Sequence, residues 1–137
     1  MIKLIIGYTT GVFDLFHIGH LNLLKNAKGL CDKLIVGVST DEIVQYKNKT
    51  PVIPFEDRIE IVRSIKFVDI AIPQKNIDKY EAWNRLKFNR MFVGDDWYNS
   101  ESWNSYEEKL SQVGVDIIYL PYTPDVSSTK ISKTLNV

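Results

Sequence analysis

The chain has 137 residues, 45% of them hydrophobic and 25% charged, with 17 basic and 17 acidic residues and a formal net charge of zero. That length supports one domain with one sizeable core, but not comfortably two. Zero net charge argues against a general nucleic-acid binder, and no apolar run approaches the roughly 18 residues that span a bilayer. The single cysteine, Cys31, excludes an internal disulfide framework and a multi-cysteine zinc site. A cytoplasmic protein is the default expectation, with Cys31 as a packing residue.

Apolar runs alternate with helical patterns along the whole chain. Ile2–Tyr8 reads as a first strand and is too short for a signal peptide. The segment Gly11-Val12-Phe13-Asp14-Leu15-Phe16-His17-Ile18-Gly19-His20 then leads into a helix over His20–Leu30, where Leu21, Leu24 and Ala27 recur at helical spacing. Lys33–Ser39 is a second strand, and its run Leu34-Ile35-Val36-Gly37-Val38 suits a strand covered on both faces. Pro54–Ile65 reads as a helix with Pro and two acids in its first turn and a stripe of Ile59, Ile61, Val62 and Ile65. A strand over Val68–Pro73, a helix over Asp78–Phe88, a strand over Arg90–Gly94, a helix over Ser102–Gln112 and a strand over Val115–Leu120 follow. Ser127 or Ser128 caps a last helix through Leu135.

Five strands with interposed helices predict an α/β fold of a single domain over residues 1–137. Its core is a Rossmann-like, open, parallel, doubly wound five-stranded sheet. Ligands of such sheets bind beyond the carboxyl ends of the strands. The chemically loaded residues fall there: Gly11 to His20, Ser39 to Glu42, Gly94 to Trp97 and Tyr122 to Thr129.

His17 and His20 are the only histidines, and both lie in one strand-to-helix turn. Free N–H groups at a helix start favour anions, so two imidazoles there point to phosphate. Near pH 7 a histidine of ordinary pKa is roughly one quarter protonated, and a bound triphosphate raises that fraction. Donation to phosphoryl oxygens as charge builds is worth ~3 kcal/mol for one donor. Two satisfied structural histidines, or two ligands of a metal, are the competing readings. Ser127-Ser128-Thr129 at a second helix start offers either plain capping or a second phosphate cradle. Neither a Walker motif nor a Gly-x-Gly-x-x-Gly fingerprint is present.

Gly11-x-Phe13-Asp14-Leu15-x-His17-x-Gly19-His20, together with Ser128-Thr129, resembles the nucleotidyltransferase superfamily that shares the H-x-G-H signature. Ser39-Thr40-Asp41-Glu42, the helix start Glu56-x-Arg58 and Val93-Gly94-Asp95-Asp96-Trp97 narrow the resemblance to bacterial glycerol-3-phosphate cytidylyltransferases, over about Ile5 to Ile131. It implies that CTP and a phosphorylated alcohol, glycerol 3-phosphate first among them, give a CDP-alcohol and pyrophosphate. Positioning and charge neutralisation would carry catalysis. His17, His20 and Lys47 would be the catalytic groups. Gly11, Val12, Phe13, Asp14, Gly19, Lys49, Asp96, Trp97, Tyr122, Thr123, Ser127, Ser128 and Thr129 would meet CTP. Lys47, Lys79, Tyr80 and Arg58 would meet the acceptor, although Arg58 could equally form a helix-start salt bridge. The family uses Mg²⁺ with its nucleotide, and Asp14 and Asp96 are candidates to organise it, with no ligands assigned. A homodimer is also implied.

The chain departs from the family at several positions. The family's R-T-E-G-I-S-T reads Tyr122-Thr123-Pro124-Asp125-Val126-Ser127-Ser128, so a tyrosine stands where a guanidinium would pair with phosphate. The substrate lysine falls on or beside Tyr80, with Lys79 adjacent. The aromatics Trp97, Tyr98, Trp103 and Tyr122 would either enclose a quaternary ammonium, as in phosphocholine, or pack a helix on the sheet. Phosphoethanolamine, adenylyl transfer within the same superfamily and a nucleotide-binding module without catalysis are the other readings. The stretch Gly94-Asp95-Asp96-Trp97 argues for CTP over ATP.

Overall fold

A computed structural model describes residues 3–46, 50–95, 98, 100–121, 123 and 127–135. Five parallel strands form one sheet in the order β3-β2-β1-β4-β5: β1 (Ile6–Gly11), β2 (Lys33–Ser39), β3 (Ile70–Gln74), β4 (Arg90–Gly94) and β5 (Asp116–Leu120). The helices are α1 (Ile18–Lys28), α2 (Asp41–Tyr46), α3 (Phe55–Arg63), α4 (Lys79–Leu86), α5 (Glu101–Ser111) and α6 (Ser128–Thr134). No helix among the described residues is long and apolar enough to cross a membrane.

The near-continuous apolar strands are buried on both faces because two helix layers need them. Leu34, Val36 and Val38 of β2 face one layer, where Leu24 and Ala27 of α1 meet Ile59 and Val62 of α3. Tyr8, Ile35, Met91 and Val93 face the other, against Ala82 of α4 and Trp103 and Leu110 of α5. The strand order reverses between β1 and β4, which opens a crevice at their carboxyl ends.

β2 and β4 have the bounds expected from the sequence. β1 begins later and runs further, because Thr9, Thr10 and Gly11 pair with Val36, Gly37 and Val38 of β2. α1 begins at Ile18 rather than His20, because His17 caps it. α2 is not anticipated from the sequence. Tyr8 is 1% exposed and lies in the space that Gly37 leaves open: a Cβ on Gly37 would sit 2.7 Å from the Tyr8 hydroxyl oxygen.

Gly37→Ala is therefore expected to cost about 1–3 kcal/mol through overpacking. Tyr8→Phe should relieve part of that cost, read by chemical denaturation as positive coupling in a double-mutant cycle. Additive losses would show that this contact does not limit the β1–β2 spacing.

Candidate phosphate-binding site

The start of α1 is capped by imidazoles. His17 adopts extended backbone at the N-cap, and its Nδ1 accepts from Gly19 N at 3.0 Å. In return His20 Nδ1 accepts from His17 N at 3.2 Å. Each ring thus uses its Nδ1 lone pair on the backbone, so each neutral ring carries its proton on Nε2 and keeps an outward donor. The rings stack with centroids 3.9 Å apart, and His20 also meets Phe13 and Phe16. Burial lowers the pKa of His17. Burial first, then His17, lowers that of His20 from 6.5 to about 4, with Asp14 opposing. The free protein therefore holds His20 neutral at pH 7, not partly protonated as its ordinary pKa suggests.

The first turns of α3, α4 and α5 contain acids, whereas that of α1 has none and its last turn carries Lys25 and Lys28. Its N-terminal dipole is left uncompensated, which favours an anion there.

The turn before α1 is held in an unusual path. Phe13 and Leu15 have φ of 55° and 48°, a region costly for residues with a Cβ. Between them, Asp14 accepts from Val52 N and Ile53 N at 2.8 and 2.9 Å. Gly11 is required here, since a Cβ would lie 2.9 Å from the Phe13 ring.

Arg58 supplies the second clamp. Its side chain is 0% exposed, and it donates to the carbonyls of Ile53, Val12 and Ser39 and to Asp41. This corrects the acceptor-contact reading of Arg58: the salt bridge is the role that the structure gives it, and the guanidinium has no face left for a phosphate. The signal was present in Asp41, one helical element earlier, but required α2 to be seen.

The two constellations from opposite ends of the chain meet. Ser128 Oγ donates to the Asp14 carbonyl, and Asn22 Nδ2 donates to Thr123 Oγ1 at 3.1 Å. Ser128 thus uses its hydroxyl proton within the protein. Lys47, Lys49, Asp96, Trp97 and Tyr122 lie outside the described residues, as does the side chain of Thr129. Among the described residues no three acidic, histidine or cysteine side chains gather as a metal site. Each Asp14 carboxylate oxygen accepts one backbone N–H and keeps a second lone pair, so Asp14 could still take one position on a nucleotide-bound Mg²⁺.

A cavity of about 550 Å³ opens at the switch point. Thr9 to Val12 of β1 and its turn, Ser39 of β2, Gln74 of β3 and Met91 to Gly94 of β4 line it, with Lys79, Ser102, Trp103 and Tyr106 above. Lys79 Nζ donates to Thr10 Oγ1 at 3.3 Å and lies 5.9 Å from the Trp103 ring centroid. Tyr80 is absent from this lining. It packs on Trp83, with Lys109 over its ring.

The Cytidylyltransferase-like family profile matches residues 8–134. A glycerol-3-phosphate cytidylyltransferase from Bacillus spizizenii is 38% identical over 93% of this chain and 94% of its own length. An FAD synthase from Pyrococcus abyssi is 37% identical over 98% of this chain and 90% of its own. The solved lipopolysaccharide core biosynthesis protein from Thermoplasma volcanium GSS1 superposes with a TM-score of 0.74 at 27% identity, over 88% of this chain and 98% of that one.

Because folding lowers the His20 pKa, the unfolded chain binds more protons between pH 6.5 and about 4, and stability falls as pH drops through that window. Melting at pH 4.5 against pH 7 should show a loss of about 2 kcal/mol that His20→Gln removes. An equal pH slope in the variant would place the titrating group elsewhere.

Proposed function

This chain belongs to the cytidylyltransferase-like family, and from that premise we propose that it transfers the cytidylyl group of CTP to a small phosphorylated alcohol, with glycerol 3-phosphate the leading acceptor. The observation that carries the reading is the acid-free start of α1, where two imidazoles each keep an Nε2 donor in the turn that follows β1. An acceptor phosphate oxygen attacks the α-phosphorus of CTP in line. The new P–O bond forms as the bond to the β-phosphate bridging oxygen breaks, and pyrophosphate leaves with that electron pair. The attacking phosphate is already a nucleophile, so the site needs orientation and charge stabilisation rather than a strong base.

His17 and His20 supply those donors in this reading, with Lys47 and Lys49 as further cations. Lys79, tethered to Thr10 in the cavity wall, takes the acceptor phosphate in place of the family lysine that Tyr80 displaces. Its ammonium beside Trp103 also occupies the seat that a quaternary ammonium would need, which weighs against phosphocholine. Asp14 is the described residue that would help hold a Mg²⁺ bound to the nucleotide, and the ion would supply neutralisation of phosphate charge there. A second reading, adenylyl transfer to a flavin phosphate, rests on the likeness to the FAD synthase.

Pyrophosphate release with CTP or ATP, against glycerol 3-phosphate and flavin mononucleotide, separates the two. We expect turnover with CTP and the alcohol phosphate, and a loss of ~100-fold in kcat in His17→Ala or His20→Ala with the fold intact. Turnover with ATP and the flavin alone would favour the second reading, and CTP binding with no release would leave a non-catalytic module. We further propose a homodimer. Sedimentation at twice the chain mass is expected, and a species of 15.8 kDa would refute it.

A further inference from the structure

Gln74 ends β3 beside Ser39, which ends β2, and the two are register partners. Gln74 is 6% exposed and Ser39 2%, yet both line the cavity. Such buried polar side chains in a mostly apolar wall are costly unless each polar atom is satisfied. Ser39 Oγ donates to Gln74 Oε1 at 2.7 Å, which accounts for the amide oxygen. Among the described residues nothing accepts from Nε2. No fully buried side-chain nitrogen or oxygen there is left without a partner. The amide nitrogen of Gln74 therefore keeps a face on the cavity, with its orientation held by Ser39.

The cavity end beyond β1 is thus lined by donors. Lys79 brings an ammonium and Gln74 an N–H₂ group whose acceptor atom is already taken. Adjacent strands lie about 4.8 Å apart, so the end of β3 stands roughly 10 Å across the sheet from the turn after β1. An acceptor whose phosphate is held by Lys79, beside Thr10 of β1, has room within that distance to turn its alcohol end toward the end of β3. A cationic amine placed there brings N–H donors against the N–H₂ donors of Gln74 and finds no acceptor, since the Gln74 oxygen is taken by Ser39. A hydroxyl oxygen accepts from the amide.

We propose that Gln74, oriented by Ser39, is the residue that reads a hydroxyl group on the acceptor, so that the acceptor class is a polyol phosphate and not an amino-alcohol phosphate. The inference rests on the proposed alcohol-phosphate transfer and adds the group that selects among such acceptors. A site built to hydrogen-bond a substrate hydroxyl rejects the analogue that lacks it, because its own polar group is then left unpaired.

The test compares pyrophosphate release from CTP with sn-glycerol 3-phosphate, propyl phosphate (the same chain without hydroxyls) and ethanolamine phosphate. The wild-type protein should prefer glycerol 3-phosphate over propyl phosphate by roughly tenfold or more in kcat/KM, mainly through KM. Gln74→Met keeps the volume and removes the amide, and should bring that ratio within about threefold while CTP affinity is unchanged. Gln74→Glu, which replaces donors with a carboxylate, should raise ethanolamine phosphate relative to glycerol 3-phosphate. If Gln74→Met does not fold, Ser39→Ala should narrow the same ratio by releasing the amide. A ratio unchanged in every folded variant overturns the assignment of Gln74 and leaves the transfer reaction standing. A wild-type preference for ethanolamine phosphate overturns it as well. Absence of turnover with all three acceptors fails the transfer reading and the inference together.

Discussion

The first turn of α1 must satisfy its backbone N–H groups without cancelling the positive potential that they create. An aspartate at the N-cap would satisfy them and neutralise the site. An imidazole does both tasks at once. Nδ1 takes the backbone hydrogen, and the tautomer so selected puts the remaining proton on Nε2, facing away from the helix. The reciprocal arrangement of His17 and His20 also stacks the rings, so one histidine positions the other. Burial keeps His20 neutral, which makes it a donor without the penalty of a buried charge.

That geometry depends on a turn that is not relaxed. Two residues with a Cβ take left-handed backbone on either side of Asp14, a conformation that persists only when its surroundings hold it. Asp14 is held from segment 52–53 by its carboxylate and from α6 by its carbonyl, while Arg58 binds the neighbouring Val12 carbonyl. Arg58 also reaches Ser39, whose hydroxyl orients Gln74. One buried guanidinium thereby ties the phosphate turn to the far wall of the cavity. Removing Asp41 leaves the buried Arg58 guanidinium without its counter-charge, so both residues belong to the architecture of the site as much as to its stability.

The fold was legible where burial on two faces produces continuous apolar runs, as in β2 and β4. It was less legible at the ends of elements. The six residues of α2 carry no hydrophobic period long enough to read, and a histidine cap is outside the usual set of serine, threonine, aspartate and asparagine. The phosphate turn itself was visible, because two histidines around one glycine need no tertiary context to be noticed. Arg58 was legible only as an even choice between a phosphate and a salt bridge, since a cation near a motif looks the same whether it faces a ligand or a neighbouring helix. Gln74 was invisible for the opposite reason. Pro73-Gln74-Lys75-Asn76 reads as a polar exit from a strand, and only the pairing of β2 with β3 shows that one of those residues is buried beside a serine in a cavity.

The central claim is that His17 and His20 stand as neutral Nε2–H tautomers awaiting phosphate. Imidazole nitrogen NMR on the labelled protein at pH 7, with and without CTP, measures this directly. Both rings should show an acceptor Nδ1 and a protonated Nε2 in the free protein, and both Nε2 signals should shift when CTP binds. Protons on Nδ1, or Nε2 signals unmoved at saturating CTP, would contradict the account.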